Sequence, residues 1–316
     1  MTVALAFDVG LAGLVLAVAG WTIAARETFA AVVGFVAYGL LIAIVWVRLA
    51  AVDVALTEAA VGAGVTGVLL IGAAARLRGT EAAAAAAERP GAALRVAAAV
   101  LCAAISAGLV AVVAMPSDPA PTLAPEAVAN LPATGLGNAV TGVLMAYRAI
   151  DTLLESVVLV LALLGVWSLA PDRLWGGRPG PRIQPHPDGV LAFLARLLAP
   201  VGIVVGIHLF WVGADDPGGK FQAGTILAAM WMLVMMAGLA DAPPISRRWL
   251  RLAVVAGPAT FLAIGLAGFW MADGFLAYPA GLAKPLILII EAAMTLSVAA
   301  TLALLVAGPP ERGPRP

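Results

Sequence analysis

Apolar residues fill this chain in blocks some 20 positions long, parted by short clusters of Gly, Pro, Arg and Asp. A helix of about 20 apolar residues crosses the hydrocarbon core of a bilayer, where every backbone N–H and C=O must find its partner within the segment. Nine blocks reach that length: 3–24, 29–48, 52–75, 94–115, 150–170, 190–213, 221–240, 250–271 and 285–307. The pattern predicts an all-α, polytopic membrane protein with about nine transmembrane helices. No basic cluster precedes the first block and no small-residue cleavage site follows it, so it is expected to be a retained helix rather than a signal peptide. The stretch "GLGNAVTGVLMAYRAID" (135–151) is too polar at Asn138 and Arg148 to face lipid, and is expected to form a short or tilted interfacial helix.

Composition fits a membrane protein: 63% of residues are hydrophobic, 11% are charged, and mean hydropathy is +1.04. Basic and acidic residues number 18 each, so net charge points to no nucleic acid or acidic partner. Their distribution is informative. Only Arg48, Arg148, Lys220 and Lys284 fall on one side of the nine spans, and every other basic residue falls on the other. The positive-inside rule then sets the amino terminus outside and the carboxyl terminus in the cytoplasm. Residues 116–134, rich in Pro and free of Lys and Arg, are expected to be a translocated irregular loop. Residues 81–90 read as an Ala-rich helical linker, 309–316 as a disordered tail, and His186 as a surface residue. Cys102, alone in an apolar run, is expected to be a small buried packing residue, and excludes an intrachain disulfide or a cysteine metal site.

Charges inside the spans are the candidate chemistry, because a charged side chain at the bilayer centre costs about 2.5–3.5 kcal/mol on insertion scales and tends to mark an ion path. Asp53 begins the third span, where an interfacial anion near a helix N-terminus and a functional acid read equally well. Glu58 lies five residues deeper, about 7.5 Å at the helical rise, and is the stronger candidate. Arg148, Asp151 and Glu155 share a face if the helix is continuous, as either an anchoring salt bridge or a graded path in which Glu155 handles protons. Lys284 and Glu291 repeat that arrangement in the last span. His208, within the sixth span, is either a proton relay or a neutral histidine bonded to a neighbouring helix. Asp215, Asp216, Pro217, Gly218, Gly219, Lys220 and Phe221 form a Gly-rich turn, either an ordered external loop or a cation entrance.

Other patterns are weak. "GAGVTG" (62–67) fits a dinucleotide fingerprint by spelling alone, since it lies inside an apolar span, where small residues instead let helices approach. No catalytic triad order, phosphate loop or metal-ligand spacing is present, so neither enzyme activity nor a metal or other cofactor is expected.

Three stretches resemble known families. "DVALTEAAVGAGVTGVLL" resembles the MbhD-like segment of the large subunit of Mrp (Mnh) multisubunit cation/proton antiporters and of membrane-bound hydrogenases. "NAVTGVLMAYRAIDTLLESVVLVLALLGVWSL" is similar to the MbhE-like segment that follows it there, and "RLLAPVGIVVGIHLFWVGADDPGGKFQAG" to the MnhB domain with its Pro-Gly-Gly turn. The resemblance implies a fusion: a three-helix MbhD-like segment with linker (1–93), a two-helix MbhE-like segment (94–185) and a four-helix MnhB-like domain (186–308).

By motif it implies roles for Asp53 and Glu58, for Asp151 and Glu155, and for Pro217, Gly218, Gly219 and Phe221, with Glu291 near an acidic position of the last span. The sequence departs from the pattern at Ala214, where a histidine is usual, and at Lys220, where a glycine is usual. The resemblance also implies a function: a subunit of a Mrp-like or complex I-like assembly in a bacterial inner membrane, lending carboxylates to a path for H+ and possibly Na+. The implied partners are antiporter-like subunits and small C-, F- and G-type subunits. The alternative is a noncatalytic scaffold of a respiratory, hydrogenase-like or carbon-uptake complex.

Overall fold

The computed structural model describes residues 2–87, 91–115, 121–181 and 189–313, with the backbone alone over 81–87. His186 and residues 88–90 and 314–316 lie outside the described residues. Helices α1 (Val3–Ala24) and α2 (Thr28–Arg48) form a hairpin tied at one end by Arg48, whose Nε donates to Asp8 Oδ1 at 2.8 Å. Next, α3 (Val52–Thr57) runs through a π-helical turn (Glu58–Val65) into α4 (Thr66–Ala87). α5 (Ala92–Ala114) buries none of its residues against the rest of the chain, and Cys102 on it is exposed, not packed inside.

The expected irregular loop at 116–134 contains instead α6 (Ala124–Thr134), which Gly135 ends in the left-handed conformation at φ +70°. The short interfacial helix is split into α7 (Ala139–Gly142) and a second π-helical turn (Val143–Tyr147), after which comes α8 (Ala149–Ser168). Strand β1 (Arg178–Pro179) precedes α9 (Val190–Val212), α10 (Lys220–Met236), α11 (Arg248–Met271), α12 (Ala283–Ala307) and β2 (Pro310–Arg312). β2 pairs antiparallel with β1, so the tail expected to be disordered is ordered through residue 313. The reason is tertiary: Arg312 Nε donates to Gly180 O at 3.1 Å, and its Nη1 to Asp241 Oδ1 at 2.9 Å.

Among the described residues, eight helices are long and apolar enough to cross a membrane. The chain is thus an all-α, multi-pass membrane protein. The seventh expected span (221–240) forms the shorter α10, 17 residues long, which begins at the buried Lys220 and ends at Met236. α12 is the axis of the bundle and packs against α8, α10 and α11. Small residues allow this: a Cβ on Gly257 would come within 2.9 Å of Ser297 Cβ, and one on Gly224 within 2.7 Å of Val298 Cγ1. Arg148, Lys220 and Lys284 gather at one end of the bundle with the turns that precede α3, α7, α10 and α12. Arg76, Arg178 and Arg312 gather at the other, around the strand pair.

Candidate functional site: a buried lysine between carboxylates

The turn at 213–219 is built by close backbone packing. Gly218 at φ +157° and Gly219 at φ +115° occupy conformations that side chains rarely adopt, and a Cβ on Gly213 would collide with Gly219. Asp53, 8% exposed, reaches in from α3 and accepts a hydrogen bond from Gly218 N at 2.9 Å. Asn138 Nδ2 donates to both Asp53 oxygens, at 3.4 and 3.3 Å, and to Asp216 O at 3.0 Å, while its Oδ1 caps α7 by accepting from Val140 N at 2.8 Å. Gln222 Nε2 ties α10 to α3 through Thr57 Oγ1 at 3.0 Å, and Thr141 Oγ1 donates to Gly213 O at 2.6 Å. Asp53 is therefore a buried acceptor locking three segments, in contrast to the solvated interfacial anion that the sequence allowed. Gly218→Ala should cost about 1–3 kcal/mol for the strained backbone, measurable as a lower melting temperature of the purified chain.

Locking this turn delivers Lys220, at the first position of α10, into the bundle at 3% exposure. This corrects the reading of Lys220 as part of an external entrance. Its Nζ lies 3.4 Å from Met145 Sδ and 5.2 Å from the Phe221 ring. Its electrostatic partners are Glu291 and Glu155, although neither makes a direct ion pair with it. Glu291, 1% exposed, has one carboxylate oxygen, Oε2, with no hydrogen bond among the described residues. The other, Oε1, lies beside Gly219 at the N-terminus of α10, where the helix dipole favours negative charge. Tyr278, in the loop before α12, donates to Met145 O at 2.8 Å. Burial, with the Glu291 charge beyond it, raises the Tyr278 pKa, so it stays a protonated donor at neutral pH.

The other expected residues divide. Glu155 projects from α8 to the surface of the chain, near enough to Lys220 to interact electrostatically. Arg148 stands at a backbone break (φ −128°, ψ 36°) between the π-helical turn and α8, while Asp151 and Glu155 follow it four residues apart on α8 with both side chains exposed. Arg148 and Asp151 make their own exposed ion pair. Lys284 does not serve Glu291, since its Nζ is held by both Asp215 oxygens at 2.6 and 2.8 Å.

Glu58 starts its π-helical turn with its carboxylate folded against Gly62 and facing Gly39 of α2, apart from the lysine cluster and without a hydrogen bond or ion pair among the described residues. His208 is on the exposed face of α9 and is not brought to the site. Asp216 and Pro217 are exposed on the turn, and Phe221 packs partly buried beneath it. Sequence reasoning missed Asn138 as a tie, and Met145, Tyr278 and Gln222 altogether. Gln222 and Thr225, polar residues at the start of an unusually short span, were the available signal.

Residues 13–79 match the MbhD family of MBH subunits, and residues 190–308 match the "Domain related to MnhB subunit of Na+/H+ antiporter". The protein MJ1307 of Methanocaldococcus jannaschii is 26% identical over 154 residues, 44% of this chain and 59% of that protein. Among solved structures, the Mrp complex from Dietzia sp. DQ12-45-1b aligns over 97% of this chain and 35% of the matched chain, with a TM-score of 0.73 and 24% identity. That likeness is one of fold. The membrane-bound sulfane sulfur reductase, an archaeal respiratory membrane complex, aligns over 68% of this chain and 95% of the matched one, with a TM-score of 0.54 and 25% identity. The chain thus spans 59% of its archaeal relative and about a third of the Mrp chain it resembles.

Proposed function

As a chain that joins an MbhD-family segment to a domain of the MnhB-related family, this protein is, we propose, a membrane subunit of an Mrp-like cation/proton antiporter assembly in a bacterial inner membrane. In that reading it is a transport component rather than an enzyme. Residues 1–93, 94–185 and 186–308 are its MbhD-like, MbhE-like and MnhB-like parts, with the amino terminus outside. Its partners are antiporter-like subunits and the small subunits of such complexes. α5 and α1, none of whose residues is fully buried within the chain, offer them apolar helix faces.

One observation carries the transport role: Lys220 is enclosed in an apolar bundle with Glu291 beneath it and Glu155 leading to the chain surface. Buried charges that lack direct pairing are costly, and they are retained where mobile charge visits them. The fixed ammonium disfavours a sodium ion at the same place, so protons are the species we assign to Glu291, Lys220 and Glu155. Glu291→Gln and Glu155→Gln, each in the full assembly, should copurify normally with partner subunits while proton-coupled exchange in inverted vesicles falls by about 100-fold or more, the lower end of what a positioned proton-transfer group contributes. Wild-type exchange in both variants would remove the proposal. The hydrogen-bonded enclosure of Asp53 favours a second reading, a scaffold, for that residue alone; a scaffold role for the glutamates predicts lost copurification instead.

A further inference from the structure

At the far end of the bundle from Lys220, α4, α10, α12 and the strand pair part around a groove of about 700 Å3. Its walls are apolar, formed by residues such as Leu69, Ile71, Met232, Met235 and Leu305, and its charged residues, Arg76, Asp241 and Arg312, all sit at the strand end. Along α4 the lining runs from Val68 to Leu77, nine helical steps, or about 13.5 Å at the helical rise. That is close to half of the roughly 30 Å hydrocarbon core, the depth of one leaflet. Methionines give such a wall the adaptability to follow a flexible chain.

The charges at the mouth are not equivalent. Arg312 is committed to Asp241 and to the Gly180 carbonyl, and Arg178 donates to the Ala242 carbonyl at 2.9 Å. Arg76 is different: its side chain is 67% exposed, and its partner, Glu311, stands 3.6 Å away without a hydrogen bond. Among the described residues at this end, Arg178 and Arg312 share Asp241 and Arg76 faces Glu311, three arginines to two carboxylates.

We propose that this groove binds one acyl chain of an anionic glycerophospholipid, with the headgroup phosphate paired to Arg76. An amphiphile one leaflet long, charged at one end, is the shape the groove accepts, and Val68, Leu69 and Ile71 on its rim are each about two-fifths exposed, open to the lipid phase. Basic pockets between helices at a membrane face hold such headgroups. The site is separate from the lysine cluster, so its failure leaves the transport reading untouched.

The test is native mass spectrometry of the full chain, purified in detergent with equal phosphatidylglycerol and phosphatidylcholine of matched acyl chains. Wild-type protein should retain one phosphatidylglycerol in about fivefold preference, the factor that one arginine contributes near a membrane surface. Arg76→Gln should abolish the preference and Arg76→Lys should keep it. Glu311→Gln, which frees Arg76, should increase it, and Met235→Trp, which fills the groove, should lower retention of both lipids. Equal retention of the two lipids by wild-type protein overturns the proposal, as does an unchanged preference in Arg76→Gln.

Discussion

Lys220→Met is expected to stop proton-coupled exchange and to destabilise the folded chain by about 1–3 kcal/mol, the penalty for a buried polar group left without compensation. The direction follows from the enclosure: with Lys220 gone, Glu291 remains 1% exposed, with one oxygen already lacking a hydrogen bond and no cation to offset it. The double variant Lys220→Met/Glu291→Gln should therefore recover most of the lost stability, because both buried charges leave together. It should not recover transport. A double-mutant cycle read by denaturation, beside exchange assays on the same four proteins, separates the two effects, since neighbouring charges give non-additive energies. Additive stability changes, or normal exchange in Lys220→Met, would mean that the lysine and Glu291 are not one functional unit.

What the sequence disclosed and what it hid have different physical sources. The spans were legible because hydrophobic length is a local property fixed by bilayer thickness, and the eight long helices fall where the apolar blocks predict them. The site depends on distant segments meeting. "DDPGGK" reads as surface, and it is surface at Asp215 and Asp216; four residues on, α10 begins at Lys220, which the locked turn buries against Met145. Asp215 and Lys284 lie 69 residues apart, and nothing local announces their pairing. Nothing in the local pattern announced the π-helical turn that ends at Tyr147 or the backbone break at Arg148 that separates it from Asp151 and Glu155 on α8. π-Helical turns are common at functional sites, and among the described residues Glu58 opens one and Arg148 and Asp151 follow the other.

Asp53→Ala should act in the opposite sense to the glutamate variants, lowering stability and assembly while leaving exchange per assembled complex near normal. The Asp53 carboxylate is the acceptor for Gly218 N–H, which its removal would orphan at a cost of about 1–3 kcal/mol, whereas Asn138 Nδ2 keeps Asp216 O as a second acceptor. Asp53→Asn should fall between, because one amide oxygen can still receive Gly218 N–H while the new NH2 group faces the Asn138 donor. Melting temperature and recovery of partner subunits should thus decline in the order wild type, Asp53→Asn, Asp53→Ala. If Asp53→Asn instead assembled fully and lost exchange, Asp53 would belong with Glu291 as an ion-handling acid, and the turn would be a gate held by its own ligand.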